Sequence, residues 1–246
     1  MKRLGILVFL VLLIGIVIVG IVVSRKEAPQ KPSKDIEHVV VKQLSFETAD
    51  SLGGWDEKVL TRYRTDYSLA EHKGERCVKA ESKNSASSLF IKEPLSRSRR
   101  PFVSWDWIVA KFPERKEEET LDDKKEFDFG AQVYVIFKSR FFLTTKAIQY
   151  VWTEKLPVGT VSDSPYTKNV KLMVLESGPS NEWKHETRDV KEDFRTLFGE
   201  EMTRDVEAFA FMTDSDSTDS SAIAYFGNIR LGYIESVKER GNHQEH

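Results

Sequence analysis

The chain is predicted to be an all-β protein, a jelly-roll-type β-sandwich with one short helix, preceded by a single N-terminal transmembrane helix. Three observations lead there. Ten short runs rich in β-branched and aromatic residues follow one another between turn residues. Long amphipathic helices are missing between them, which argues against alternating βαβ units. Residues 4–23 form one uncharged, mostly aliphatic run.

That run lies between Lys2-Arg3 and Arg25-Lys26. At about 1.5 Å per residue it makes a helix of roughly 30 Å, the thickness of a bilayer's hydrocarbon core. A cleaved export signal is the rival reading, but Val22-Val23-Ser24-Arg25 is a poor cleavage site. The expected organisation is an anchor with basic flanks over residues 1–26, a polar spacer with two prolines over 27–35, a sandwich domain over 36–236 and a polar tail over 237–246. Counted literally, the flanking charges favour a cytoplasmic domain. The short basic lead before an apolar core is nevertheless how an export signal begins, and long domains cross largely regardless of charge. The expected location is therefore the cytoplasmic membrane, single-pass, with the C-terminal domain outside the cytoplasm.

In chain order the predicted strands are 39–46, 75–81, 87–93, 102–109, 130–137, 146–153, 170–176, 183–189, 207–213 and 222–233. The helix is predicted over 190–198. Asp189 caps it with Glu192 three residues on, Val190, Phe194, Leu197 and Phe198 line one side, and Gly199 ends it. The run 114–126 is almost entirely charged and reads as a solvated loop.

Composition narrows the partners. Residues 1–34 hold six Lys/Arg and one Glu, so totals of 37 basic and 39 acidic residues leave 31 against 38 for the rest. A domain with net charge of minus seven has no basic surface for nucleic acid. The single cysteine, Cys77, excludes an intramolecular disulfide and an all-cysteine zinc site, and reads as a small core residue. Histidines 38, 72 and 185 are scattered and read as surface residues rather than ligands. No phosphate-cradling glycine loop, nucleophile elbow or His-Glu-x-x-His helix is present.

Alternation along the strands sorts the remaining candidates by face. The row Phe127, Phe129, Ala131, Val133, Val135 and Phe137 should face the core, leaving Asp128, Gln132 and Tyr134 on the other side. Trp105 and Trp107 sort inward with Asp106 opposite, and Ile148, Tyr150 and Trp152 inward with Gln149 opposite. If these strands are neighbours, Asp106, Asp128, Gln132, Tyr134 and Gln149 share one polar face that suits a ligand, because hydroxyl groups need paired donors and acceptors and a sugar ring stacks on an aromatic. The plain alternative is that one face of an antiparallel sheet is simply solvated. Trp55, after Gly53-Gly54, is the candidate exposed aromatic, with capping of the core as the alternative. Asp214, Asp216 and Asp219, with Ser217 and Thr218, form an oxygen-rich turn that suits a structural calcium ion, although it is not an EF-hand, and Asp and Ser also favour turns without metal. No other cofactor is expected. A catalytic alternative pairs Asp106 with Asp128 as the two carboxylates of a glycan-processing enzyme.

Ser104-Trp105-Asp106-Trp107, the segment 128–137, Ala147-Ile148-Gln149-Tyr150-Val151-Trp152, Pro165-Tyr166-Thr167, the segment 183–200 and the segment 213–218 together resemble a bacterial family known as domain of unknown function 3047. The resemblance spans about residues 46–233. It implies an exported, carbohydrate-binding-like β-sandwich with no established activity. The family pattern favours Arg where this chain has Asp106 and Gln132, and Asn where it has Gln149, so a ligand bound there elsewhere need not be bound here. Together these readings lead to the expectation of a membrane-anchored, non-catalytic envelope module that recognises a glycan or a protein partner. A glycan-processing enzyme and a purely structural component are the alternatives.

Overall fold

The computed structural model describes residues 36–236; the apolar run 4–23, the spacer and the tail 237–246 lie outside the described residues. In chain order the strands are β1 (Ile36–Leu44), β2 (Asp56–Val59), β3 (Asp66–His72), β4 (Glu75–Lys83), β5 (Ser87–Leu95), β6 (Pro101–Lys111), β7 (Ala131–Phe137), β8 (Ala147–Thr153), β9 (Val161–Ser164), β10 (Thr167–Ser177), β11 (Lys184–Asp189), β12 (Val206–Met212) and β13 (Ser221–Ser236). They form two sheets. The first runs β11-β6-β13-β4-β3, with β1 also on β13; the second runs β2-β5-β12-β7-β8-β10-β9. All pairs are antiparallel except β8 with β10.

The core between the sheets follows the period-two pattern. Val103, Trp105, Trp107 and Val109 from β6 meet Val133, Val135 and Phe137 from β7, Ile148, Tyr150 and Trp152 from β8, and Phe209 and Phe211 from β12. Trp105 packs edge-on to Trp107, which reaches Trp152 at 5.7 Å between ring centroids. Each such ring removes roughly 150–250 Å² from water, which makes these aromatics the main source of stability. Trp55 caps this core rather than standing free, packing edge-on to Phe211 at 4.9 Å. Cys77 is fully buried, and burial pushes its thiol up to about 11.

The helix α1 (Val190–Phe198) forms where the capping pattern places it. Asp189 accepts from the backbone N–H groups of Lys191 and Glu192, and Gly199 ends the helix at φ 68°. Val190 and Phe194 are buried, while Asp193 takes Arg188 and the Tyr150 hydroxyl. The long strand β13 changes partners midway: residues 221–226 pair with β4 and residues 229–236 with β1. Asn228 marks the change, at φ 47°. Close approach of β1 requires Gly232, because a Cβ there would run into the carbonyl oxygen of Val39 and the Phe102 ring.

Two expectations are corrected. Phe127 and Phe129 do not continue the β7 row into the main core. They precede the strand and pack with Leu121, Val151, Leu172 and Val174 in a second cluster on the opposite face of the second sheet. The charged run 114–126 is a solvated loop only in part: residues 114, 116–118 and 122–125 are exposed, but three of its charged side chains are buried. Arg115, Glu119 and Glu126 have side chains only 4%, 1% and 8% exposed. Arg115 donates to the carbonyls of Glu126 and Asp128 and pairs with Glu119, and Glu119 accepts from the backbone N–H groups of Glu154, Lys155 and Leu156. A charge run is solvated only if nothing across the chain satisfies it; here the 154–156 turn does.

Candidate functional site

The five residues sorted to one polar face occupy two. Gln132, Tyr134 and Gln149 do lie opposite the main core on the second sheet, with Asp128 just ahead of β7. Asp106 is on the outer face of the first sheet, because β6 and β7 belong to different sheets. Alternation assigns a side within a strand, not which sheet the strand joins. With sheets about 10 Å apart and both carboxylates pointing away from the space between them, Asp106 and Asp128 do not flank one bond as a glycosidase pair must.

On the second sheet the polar residues form a buried network instead of an open face. Gln132 and Gln149 are 0% and 1% exposed. Gln132 Nε2 donates to Asp214 Oδ1 at 2.6 Å, and Gln132 Oε1 accepts from the Tyr134 hydroxyl at 2.8 Å and from Gln149 Nε2 at 2.7 Å. Asp214 Oδ1 also accepts from the backbone N–H of Phe129 at 3.0 Å. Burial, then the neighbouring Asp214 carboxylate, raises the Tyr134 hydroxyl well above its ordinary range.

This network ends in a carboxylate cluster. Asp128, Asp214 and Asp216 each bring an oxygen within 4.8 Å of the others. Burial, then Asp128, raises Asp214 well above the usual carboxylate range, and the same two causes raise Asp216. Asp128 accepts from the backbone N–H groups of Ser217 and Thr218 and from the Thr218 hydroxyl. Asp219 is not part of the cluster: it sits at φ 51° and accepts from Asn84. The carboxylates grouped closely enough to hold a hard cation are therefore Asp128, Asp214 and Asp216, with a member 86 residues from the next in sequence that local spacing could not reveal.

The outer face of the first sheet is open and chemically mixed. In one row, β11, β6 and β13 place His185 beside Asp106, and Asp106 beside Gly227. Asp106 pairs with His185 Nδ1 at 2.5 Å and accepts from Asn228, while Thr187 sits 3.2 Å from His185 Nε2. In the next row Tyr225 stands opposite Ile108. His72, from the end of β3, lies flat on Tyr225 with ring centroids 4.0 Å apart and planes at 9°. Trp183, just ahead of β11, meets His72 edge-on at 6.1 Å, and its indole N–H donates to the His72 carbonyl at 3.2 Å. Burial, then Lys73, lowers the His72 pKa, so its ring is neutral at pH 7. Half-exposed rings thus adjoin a carboxylate, an imidazole, a hydroxyl and an amide. Trp183 was within reach of sequence reasoning, since it alternates with His185 and Thr187. His72 was not, because nothing local marks β3 as a strand.

Glu186 on β11 is in register with Trp105 and so lies on the opposite side of the strand from His185 and Thr187; its carboxyl is pushed up to about 7, first by burial and then by the Glu176 carboxylate. Between β2 and β3 a cleft is lined by Leu52, Glu57, Arg64, Asp66 and Tyr67; Arg64 pairs with Glu57 there, and the Tyr67 hydroxyl donates to Ser87.

The model of the DUF3047 family, described as a protein of unknown function, matches residues 53–230. No curated protein matches the chain. Among solved structures, the family 11 carbohydrate-binding module of the cellulosomal cellulase Lic26A-Cel5E of Clostridium thermocellum is similar at 10% identity and a TM-score of 0.40, over 80% of this chain and 95% of that one. The xyloglucanase domain of NopAA from Sinorhizobium fredii is similar at 13% identity and 0.42, over 73% and 92%. A family 12 xyloglucanase from Bacillus licheniformis is similar at 8% identity and 0.38, over 80% and 99%. None of these likenesses brings a ligand or a residue role to this chain.

Proposed function

We propose, from the premise that the chain belongs to the DUF3047 family, that it is a membrane-tethered, non-catalytic binding module of the cell envelope that recognises a glycan on the outer face of its first sheet. One observation carries the reading: ring surfaces of His72, Tyr225 and Trp183 stand beside the hydrogen-bonding row Asp106, His185, Thr187 and Asn228 on adjoining strands. A sugar ring presents an apolar face and an equatorial fringe of hydroxyls, and this patch offers a partner for each. A protein partner is the weaker fit, because Asp106, His185, Thr187 and Asn228 make the centre of the patch polar, whereas the centre of a protein interface is depleted of charge. Asp128, Gln132, Tyr134 and Gln149 act as scaffold behind the second sheet, and the cluster Asp128, Asp214 and Asp216 holds at most a structural cation. The tether is the apolar run 4–23.

Binding on a panel of envelope and plant glycans tests this. Trp183→Ala and Asp106→Ala are expected to weaken binding by about tenfold each, the loss of one stacking or one charge-assisted contact, with unfolding midpoints unchanged. Binding that survives both changes in folded protein would move the ligand elsewhere. A second reading, acid-assisted glycan cleavage on the inward side of β11 rather than on the outer face, is favoured by Glu186, which holds a proton near neutral pH beside Glu176. Turnover of a bound glycan that is lost in Glu186→Gln would establish it.

A further inference from the structure

The loop joining β7 to β8, residues 138–146, reads Lys-Ser-Arg-Phe-Phe-Leu-Thr-Thr-Lys: three cations and no carboxylate. Its polar side chains turn inward. Ser139 Oγ donates to the Phe141 carbonyl at 2.9 Å, and the Thr144 hydroxyl and backbone N–H reach the same oxygen at 3.0 Å each. Two neighbouring segments fasten the far side: Asn169 Nδ2 donates to the Leu143 carbonyl at 2.9 Å, and Arg204 donates to the Thr144 carbonyl at 2.6 Å. At the base the N–H of Phe137 donates to the carbonyl of Lys146.

With the polar groups drawn in, Phe141 and Leu143 point out. They are 63% and 84% exposed, the two most exposed large apolar side chains among the described residues. Arg140 lies over the Phe141 ring at 5.6 Å. Lys138, Arg140, Lys168 and Arg204 have no carboxylate partner among the described residues, whereas Lys146 is taken by Glu200. An apolar tip braced by its own backbone and ringed by unpaired cations matches the boundary of an anionic bilayer, where acyl chains meet phosphate headgroups. It does not match a glycan, which offers neither a hydrocarbon layer nor negative charge by rule.

We propose that this loop is a second, peripheral membrane contact: Phe141 and Leu143 enter the interface of a bilayer containing anionic phospholipid while Lys138, Arg140, Lys168 and Arg204 meet its headgroups. The reach of a bilayer rests on the tether proposed above; the contact itself rests on the loop. With the chain already tethered, the loop contact is an intramolecular event and needs little affinity of its own.

The test uses the full chain in lipid nanodiscs, with Cys77→Ala and Leu143→Cys leaving one thiol for an environment-sensitive fluorophore. In discs of mixed phosphatidylglycerol and phosphatidylcholine the label is expected to shift to shorter wavelength and to be quenched by brominated acyl chains. In pure phosphatidylcholine the signal should fall, and in the anionic discs each of Lys138→Gln and Arg140→Gln should lower the inserted population about fivefold. A chain retained in both discs whose label reports water overturns the loop contact alone, and leaves the apolar tip to a protein partner. A chain that separates from both discs overturns the contact together with the tether.

Discussion

Gln132→Ala distinguishes a solvated polar face from a buried network most directly. Strand alternation alone places Gln132 outward, where such a change costs within about 0.5 kcal/mol. In the structure the side chain is fully buried and holds three partners. Removing it strands the Gln149 amide, which is 1% exposed, and takes from Asp214 one of its two donors. The Tyr134 hydroxyl also loses its acceptor, and is left out of the sum because Tyr134 is the least buried residue of the three. At about 1–3 kcal/mol for each buried group left unpaired, two such groups give roughly 2–6 kcal/mol. Urea unfolding followed by tryptophan fluorescence measures this, since the buried tryptophans report the core. The cycle with Gln149→Ala adds a check: the two changes should be strongly non-additive, because each breaks the same 2.7 Å bond. A loss below about 1 kcal/mol, or full additivity, would refute the network.

Trp152→Ala should cost about 3–5 kcal/mol through lost burial and a residual cavity, with the indole bond to the Gly178 carbonyl lost as well, and the same unfolding measurement checks it. Glu186, raised from 4.5 to about 7, binds its proton more firmly in the folded state, so its contribution favours folding below about pH 4.5 and is lost as pH rises through 7. The shift would amount to about 3 kcal/mol in full burial and about 1–2 after screening at this half-buried site; Glu186→Gln should remove that part of the fall in stability between pH 5 and 8, and an unchanged profile would contradict the assignment. A cation held by Asp128, Asp214 and Asp216 should raise the melting temperature in calcium over chelator, and the rise should vanish in Asp216→Asn but persist in Asp219→Asn, which lies outside the cluster. Identical melting in calcium and chelator removes the metal from this site.

Much of the fold is legible in the chain because its signals are local. All ten strands predicted from composition and alternation are present within a few residues, and the helix from Val190 to Phe198 matches at both ends, because a cap, a four-residue apolar stripe and a stop glycine are written next to one another. Trp105, Trp107 and Trp152 sort into the core for the same reason: a period of two leaves one side of a strand apolar. The strands β2, β3 and β9 are not legible, since Asp-Glu-Lys-Val or Val-Ser-Asp-Ser becomes a strand only when β5 or β10 supplies the edge it pairs with.

What only the tertiary structure decides is which elements meet. Alternation gives Asp106 and Gln132 a side, but the assignment of β6 and β7 to different sheets separates them, and a return of the 114–130 segment over the second sheet turns three polar residues from a surface into a network. The same long-range closure brings Asp128 to Asp214 and carries His72 across to Trp183. Residue type and spacing set what a side chain can do; burial and partners, which depend on contacts far apart in sequence, set whether it faces a ligand or its own protein.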